Sequence, residues 1–403
     1  MRFGLFYELQ LPKPLDSEQW HPDDEYRLIQ ETLEQIEFAD KLGFDYVFEV
    51  EHDFLEEYAH SSAPEVVLAA ASQRTQHIRL GHGIIHMPPT FNHPIRVAER
   101  IATLDLVSNG RVEFGTGEGG DIENTGFGID VTQKKAMWEE ATRECVKMMT
   151  QVPYAGYAGP YFQVPERNVI PKPRQRPHPP LWVAASRRET IFLAARFGMG
   201  ALGFGFETPE EARERIEHYW ELVREECMPI GEAINPAVTA LGSLMCCPTN
   251  DEAIAKGVSG AQMFGFLLGR GQRNYGRDHF HRQFASLSED ERMTQYARRQ
   301  GLQVVDDEPE DESIRALYRA SRRGGFIGSP EFIRETIRKY EAAHIDLLLF
   351  IAQCGNRRHE DIMASLELFA KDVMPEFQER HKQHQKWREQ QLDGVAFPVN
   401  ATI

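Results

Sequence analysis

Short apolar runs alternate with amphipathic stretches along most of this chain. The runs fall at 2–7, 45–50, 78–85, 112–116, 181–185, 200–204, 238–246 and 346–351, each of strand length. Between them apolar positions recur at helical spacing over 25–42, 64–74, 94–107, 132–149, 187–196, 209–226 and 361–373. Pro94 and Pro209 stand near first helical turns, and Gly43 and Gly198 follow last turns. Repeated β-α units of this kind predict a parallel sheet, and eight runs predict an α/β fold of the (β/α)8 TIM-barrel type. An open doubly wound sheet has the same alternation. It needs a glycine-rich turn after the first strand, and Tyr7-Glu8-Leu9-Gln10-Leu11-Pro12 contains no glycine.

Two stretches interrupt the repeat. Residues 152–180 are proline-rich with interspersed tyrosines, which predicts a loop or small hairpin. Residues 256–327 are first glycine-rich and then arginine-rich, which predicts an insertion between strands seven and eight serving as a lid or an interaction surface. The expected organisation is therefore one barrel over 1–380 carrying both insertions, and a charged tail over 381–403 that frays or packs on a partner.

A chain of 403 residues with 41% apolar and 27% charged residues can bury a large core. Its formal net charge of −17 disfavours nucleic acid and anionic membrane surfaces as partners. No apolar stretch is long enough to span a bilayer and the N-terminus has no leader pattern, so a cytoplasmic protein is expected. Cysteines at 145, 227, 246, 247 and 354 form no CxxC pair, and free thiols are expected.

In a barrel the chemistry sits just beyond the strand C-termini. There the sequence places Tyr7 and Glu8, then Glu51-His52-Asp53-Phe54, His86-Met87, Gly117-Glu118-Gly119-Gly120-Asp121, and Ser186-Arg187-Arg188. His52 between two acids is a candidate acid–base, with Glu51 as a carboxylate that orients it; the structural alternative is a histidine bonded to a loop carbonyl. His82 and His86, with His52, raise the question of a metal. Four residues along a strand span about 13 Å, too far for two ligands of one ion, so no metal site is expected. Gly83 within a β-branched strand, and the glycines from 115 to 120, predict close approach of a flat or phosphorylated ligand, or else a bend and a flexible turn. Ser186 and Glu189 read as a capping box, and the same helix start, with Arg187 and Arg188, could hold a phosphate.

Several segments resemble the bacterial luciferase-like family of flavin-dependent monooxygenases. They are Met1-Arg2-Phe3-Gly4, Gly43-Phe44-Asp45-Tyr46-Val47 leading into Glu51-His52-Asp53-Phe54, and Pro88-Pro89-Thr90 before His93-Pro94-Ile95-Arg96. Ser108-Asn109-Gly110-Arg111, Gly328-Ser329-Pro330-Glu331 and Asp372-Val373-Met374-Pro375 continue the match in the family's order. The resemblance implies reduced FMN at the barrel mouth, dioxygen, a flavin hydroperoxide, and a small organic substrate. It also implies a separate NAD(P)H:flavin reductase as partner and a homodimer. By the same resemblance His52 is the catalytic histidine, Gly83–Ile84 takes the position of a non-prolyl cis peptide beneath the ring, and Ala185, Ser186 and the following residues hold the phosphate. Gly117 and Glu118 stand where the luciferases place a phosphate-binding arginine, and a carboxylate there departs from the pattern. Tyr7, Glu8, Phe54, His86 and Met87 are expected to line the substrate pocket. Two other functions fit the same barrel: an F420-dependent oxidoreductase, and a non-catalytic flavin-binding relative.

Overall fold

The computed structural model describes the chain except residues 15, 16, 18, 186–187, 204–208 and 272–324. The strands are β1 (Arg2–Tyr7), β2 (Tyr46–Glu49), β3 (Arg79–His82), β4 (Ile85–His86), β5 (Val112–Gly117), β6 (Tyr157–Ala158), β7 (Gln163–Val164), β8 (Leu181–Ala185), β9 (Gly200–Gly203), β10 (Thr239–Cys246), β11 (Phe326–Gly328) and β12 (Leu347–Ile351). All but β6 and β7 belong to one sheet of order β11-β10-β12-β1-β2-β3-β5-β8-β9, with β4 beside β5, and every pairing in it is parallel. The sheet curls until β9 meets the approach to β10. There Ala201 bridges Val238, the Ala201 N–H donates to the Ala237 carbonyl at 2.8 Å, and the Gly203 N–H donates to Thr239 Oγ1 at 2.9 Å.

Alternation along each strand divides the core into an inner and an outer layer. Phe6, Tyr46, Phe48, Trp182, Leu347, Leu349 and Ile351 fill the inside of the curled sheet. Phe3, Leu5, Tyr7, Val47, Val183, Leu348 and Phe350 point outward under the helices. The inner layer closes because glycines face its largest rings. A Cβ on Gly81 would stand 2.3 Å from the Phe48 ring, and one on Gly200 would stand 2.3 Å from that of Trp182.

The helices outside are α1 (Asp24–Leu42), α2 (Pro64–Ser72), α3 (Pro94–Val107), α4 (Asp121–Gly126), α5 (Lys134–Thr150), α6 (Arg188–Arg196), α7 (Pro209–Glu225), α8 (Asn250–Gly271), α9 (Pro330–Ala342), α10 (His359–Asp372) and α11 (Met374–Gln391). Asp40 on α1 accepts the backbone N–H groups of Gln76, His77 and Ile78 and so steers the chain into β3.

Three expectations change. The third run is not one strand: it breaks at Gly83–Ile84, where the Gly83 N–H donates to the Glu49 carbonyl at 2.7 Å and the Ile84 carbonyl accepts the Glu51 N–H at 3.2 Å. The segment expected as an insertion from 256 begins inside α8 and ends in β11; its middle lies outside the described residues. The tail is ordered against the chain itself. On α11, His384 and Arg388 both hold Asp346 Oδ1, at 2.8 and 2.5 Å, and Asp346 Oδ2 accepts the Val238 N–H. Beyond α11, Val399 bridges Ile234, Thr402 Oγ1 donates to Glu113 Oε1 at 2.5 Å, and Ile403 joins the inner core. Polar contacts, rather than an apolar stripe, anchor this segment over the N-terminal ends of the strands.

Candidate active site

At the opposite, C-terminal end of the strands, direction is again set by alternation. Tyr7 points outward, where its hydroxyl donates to Gln35 Oε1 at 3.1 Å, so Glu8 points inward. Glu8 is fully buried against the Tyr58 hydroxyl, and its Oε2 lies 3.4 Å from His52 Nε2. The other ring nitrogen, Nδ1, is 2.5 Å from Glu123 Oε1. Glu123 is the third residue of α4 and its second oxygen reaches back to the Gly120 N–H at 2.8 Å, the usual reason for a glutamate at that place. The helix start thus delivers a carboxylate to the histidine, and His52 is held from both sides.

Burial alone would lower the His52 pKa, but the hydrogen bond to Glu123 and the charges of Glu8, Glu123 and Glu51 raise it to about 9. Burial raises Glu8, the charge of His52 and a hydrogen bond from Tyr58 oppose it, and Glu123 adds to it. Burial also acts to raise Glu123, but its contacts with His52 leave it below the usual carboxylate range. The imidazole is therefore a cation at neutral pH. His86, buried edge-on to Phe91 with its Nδ1 unpartnered, is pushed down by burial to about 4 and is neutral.

Glu51 does not orient His52. Its carboxylate turns away and accepts the His86 N–H at 2.7 Å and the Asn92 amide at 3.0 Å, and Arg100 in turn holds Asn92. Burial raises Glu51 to about 7. Its place is under the backbone of His86, which it fixes.

Other expected residues are distributed by the same geometry. Tyr7 and Met87 are buried in the outer core, while Glu8 and His86 take the inward positions beside them. Phe54 is 59% exposed at the mouth, with φ of 66°, and packs 5.3 Å from Phe127, whose ring lies tilted 4.1 Å from that of Phe91. The Gly83–Ile84 peptide is not cis; the cis bonds among the described residues all precede prolines, and hydrogen bonds flank this peptide on both sides. The room at the next strand is used by the chain itself. A Cβ on Gly115 would stand 1.8 Å from the His82 carbonyl oxygen, and one on Gly117 would stand 2.5 Å from Ile84 Cδ1. Glu118 pairs with Lys134 at 3.7 Å, and Lys134 also holds Asp121 at 2.7 Å. Ala185 turns its methyl into the outer core. Ser186, Arg187 and the side chain of Arg188 lie outside the described residues, so the expected phosphate site does too.

His82 is not part of this cluster and is fully buried beside the Glu113 backbone. His52 and His86 nevertheless come together, through Glu123. Sequence reasoning missed Glu123, Phe91 and Phe127. The available signal was a glutamate three positions after Gly120, a helix-start pattern hidden by reading the glycines as space for a ligand.

Residues 1–347 match the luciferase-like monooxygenase family. The chain belongs to this family. Among luciferase-like proteins it is 24% identical over 388 residues to the oxygenase component of the flavin-dependent trigonelline monooxygenase of Acinetobacter baylyi, covering 94% of this chain and 96% of that one. An uncharacterized protein of Sinorhizobium fredii, y4wF, is 35% identical over 173 residues, and the match spans 43% of this chain and about half (49%) of that relative. The oxygenating constituent of 3,6-diketocamphane monooxygenase of Pseudomonas putida, solved with FMN, superposes with a TM-score of 0.67 at 20% identity, over 93% of this chain and 98% of that one. The F420-dependent tetrahydromethanopterin reductase of Methanopyrus kandleri also superposes, with a TM-score of 0.64 at 17% identity, over 93% of this chain and 99% of that one. The shared architecture of these luciferase-like enzymes is the TIM barrel. No described helix is long and apolar enough to cross a membrane.

Proposed function

We propose that this protein is the oxygenase of a two-component system. It takes reduced FMN from a separate NAD(P)H:flavin reductase and inserts one atom of dioxygen into a small organic substrate, the other leaving as water. The observation that carries the reading is His52, held between Glu8 and Glu123 beside the exposed aromatic faces of Phe54 and Phe127. In this reading Phe54 and Phe127 offer apolar surface to a flat ring, and the 24%-exposed His52 side chain is the polar group of the cluster. When bound, reduced FMN supplies the two electrons that oxygen activation requires. The chain contributes a proton donor. Glu123 holds Nδ1, so the proton His52 can offer where negative charge develops on oxygen is the one on Nε2, which is only 3.4 Å from Glu8 and must turn from it towards the substrate side. Phe54, Phe91 and Phe127 keep water from the ring.

An F420-dependent dehydrogenase is the second reading. The F420-dependent glucose-6-phosphate dehydrogenase of Microbacterium testaceum is 27% identical over 209 residues, half of this chain. Anaerobic protein is mixed with reduced FMN or with reduced F420 and then given 18O-labelled dioxygen together with candidate substrates. The oxygenase reading expects label in product with FMN alone. Substrate reduction by F420 without oxygen uptake would replace it with the second reading.

A further inference from the structure

The same cluster has a property that oxygen chemistry does not call for. We propose that His52, His86 and Glu123 form a binding site for a zinc-class divalent cation, and that the ion blocks the enzyme when it occupies this site. One ring nitrogen from each histidine and one oxygen of Glu123 lie within 4.8 Å of one another. Two imidazoles and a carboxylate are the donor set of open zinc sites, and they suit Zn2+ or Co2+ far better than Mg2+ or Ca2+.

Two further observations point to a ligand. The buried Nδ1 of His86 has no hydrogen-bond partner, although its residue is only 2% exposed. A buried polar nitrogen left bare in this way is costly, and a ligand would relieve it. On the far side of His52, Glu8 Oε2 lies 3.4 Å from Nε2. A carboxylate on the second ring nitrogen is what fixes the tautomer and aim of a metal-binding imidazole. The site is also accessible, because the His52 side chain is 24% exposed while the other two ligands are buried. Three protein ligands and an open fourth position result.

Bonds to zinc are about 2.0–2.2 Å. The cluster must therefore contract slightly, and His52 and Glu123, now 2.5 Å apart, must part to admit the ion between them. Binding is a proton-for-metal exchange: Zn2+ takes the Nδ1 lone pair and a Glu123 oxygen, the proton shared between them goes to solvent, and no electrons move. Inhibition rests on the oxygenase reading, because the ion occupies the imidazole that reading uses. Binding does not.

The test uses the full-length protein without flavin. Co2+ is added and followed by its visible absorption bands, then displaced with Zn2+, and the zinc affinity is measured by calorimetry. His86→Gln and Glu123→Gln are each expected to weaken binding at least tenfold, and Glu8→Gln by about 10–100-fold. Melting curves establish that the variants are folded. X-ray absorption on the zinc-loaded wild-type chain needs no variant and should show two imidazoles in the first shell. The site is overturned by affinity that ignores both His86→Gln and Glu123→Gln, by a first shell with fewer than two imidazoles, or by no binding at about 1 mM zinc. A chain that binds zinc as described but fails to oxygenate any substrate leaves the site standing and removes the oxygenase.

Discussion

His52 receives one carboxylate from the end of the first strand and another from a six-residue helix after β5, and neither is its neighbour in sequence. Its candidacy was legible, because an imidazole at a strand C-terminus among acids is a recognisable pattern. Its partners were not. Adjacent residues in extended chain point to opposite sides, so Glu51 lies under His86 and leaves the pairing to residues brought in by the fold. We expect His52→Ala to keep reduced FMN binding within a few fold and to lower product formation by about 10²–10⁴. Single-turnover rates with saturating reduced FMN decide it, and unchanged rates would remove His52 from the reaction. Glu123→Gln keeps the shape and removes the charge. It should lower the same rate by about tenfold or more while the affinity for reduced FMN stays constant, and the far-downfield proton resonance expected of a 2.5 Å His–Glu contact should disappear. A persisting resonance would mean that the proton belongs to another pair.

At the scale of elements, run positions translate closely into strands, since a strand of a covered parallel sheet is apolar on both faces and stands out from its flanks. The function of glycines translates poorly. Gly115 and Gly117 looked like room for a cofactor, but the room is occupied by the His82 carbonyl and by Ile84, where β3 breaks and crosses close to β5. No single-chain pattern distinguishes space for a ligand from space for a neighbouring strand. Gly115→Ala is therefore expected to act on stability more than on flavin affinity. A methyl 1.8 Å from a carbonyl oxygen cannot be accommodated without moving the strand, and overpacking of this kind costs about 1–3 kcal/mol or more. A melting temperature equal to wild type would contradict the close approach.

For the whole molecule, the least legible part was residues 381–403, whose charged composition suggests solvent. His381, His384 and Arg388 are instead buried, and the pattern hides this because their partners are polar groups from distant segments. Asp346 opposes burial with the charge of Arg388, the hydrogen bond and charge of His384 and the Val238 N–H, which together lower its pKa to about 2. A carboxyl depressed on folding contributes stability that is fully present above its unfolded value, near 4, and is lost as pH falls toward 2. Asp346→Asn should cost about 3–5 kcal/mol at neutral pH, as expected when one partner of a buried ion pair is removed. It should also flatten the decline in stability between about pH 4 and 2. Denaturant midpoints measured across that range test both, and a parallel decline in the variant would assign the acid sensitivity elsewhere.

The floor of the curled sheet also bears on how such a chain folds. Thr402 meets Glu113 across 289 positions, a contact that spans most of the chain. Residues 398–403 pair with Ile234 and enter the inner core, so their docking closes the curled sheet from below. Until then Tyr46, Phe48 and Trp182 stand open from below. Contacts of such long span also close slowly. A chain in which this short segment has not yet docked therefore shows apolar rings to water, the condition in which partly folded proteins aggregate.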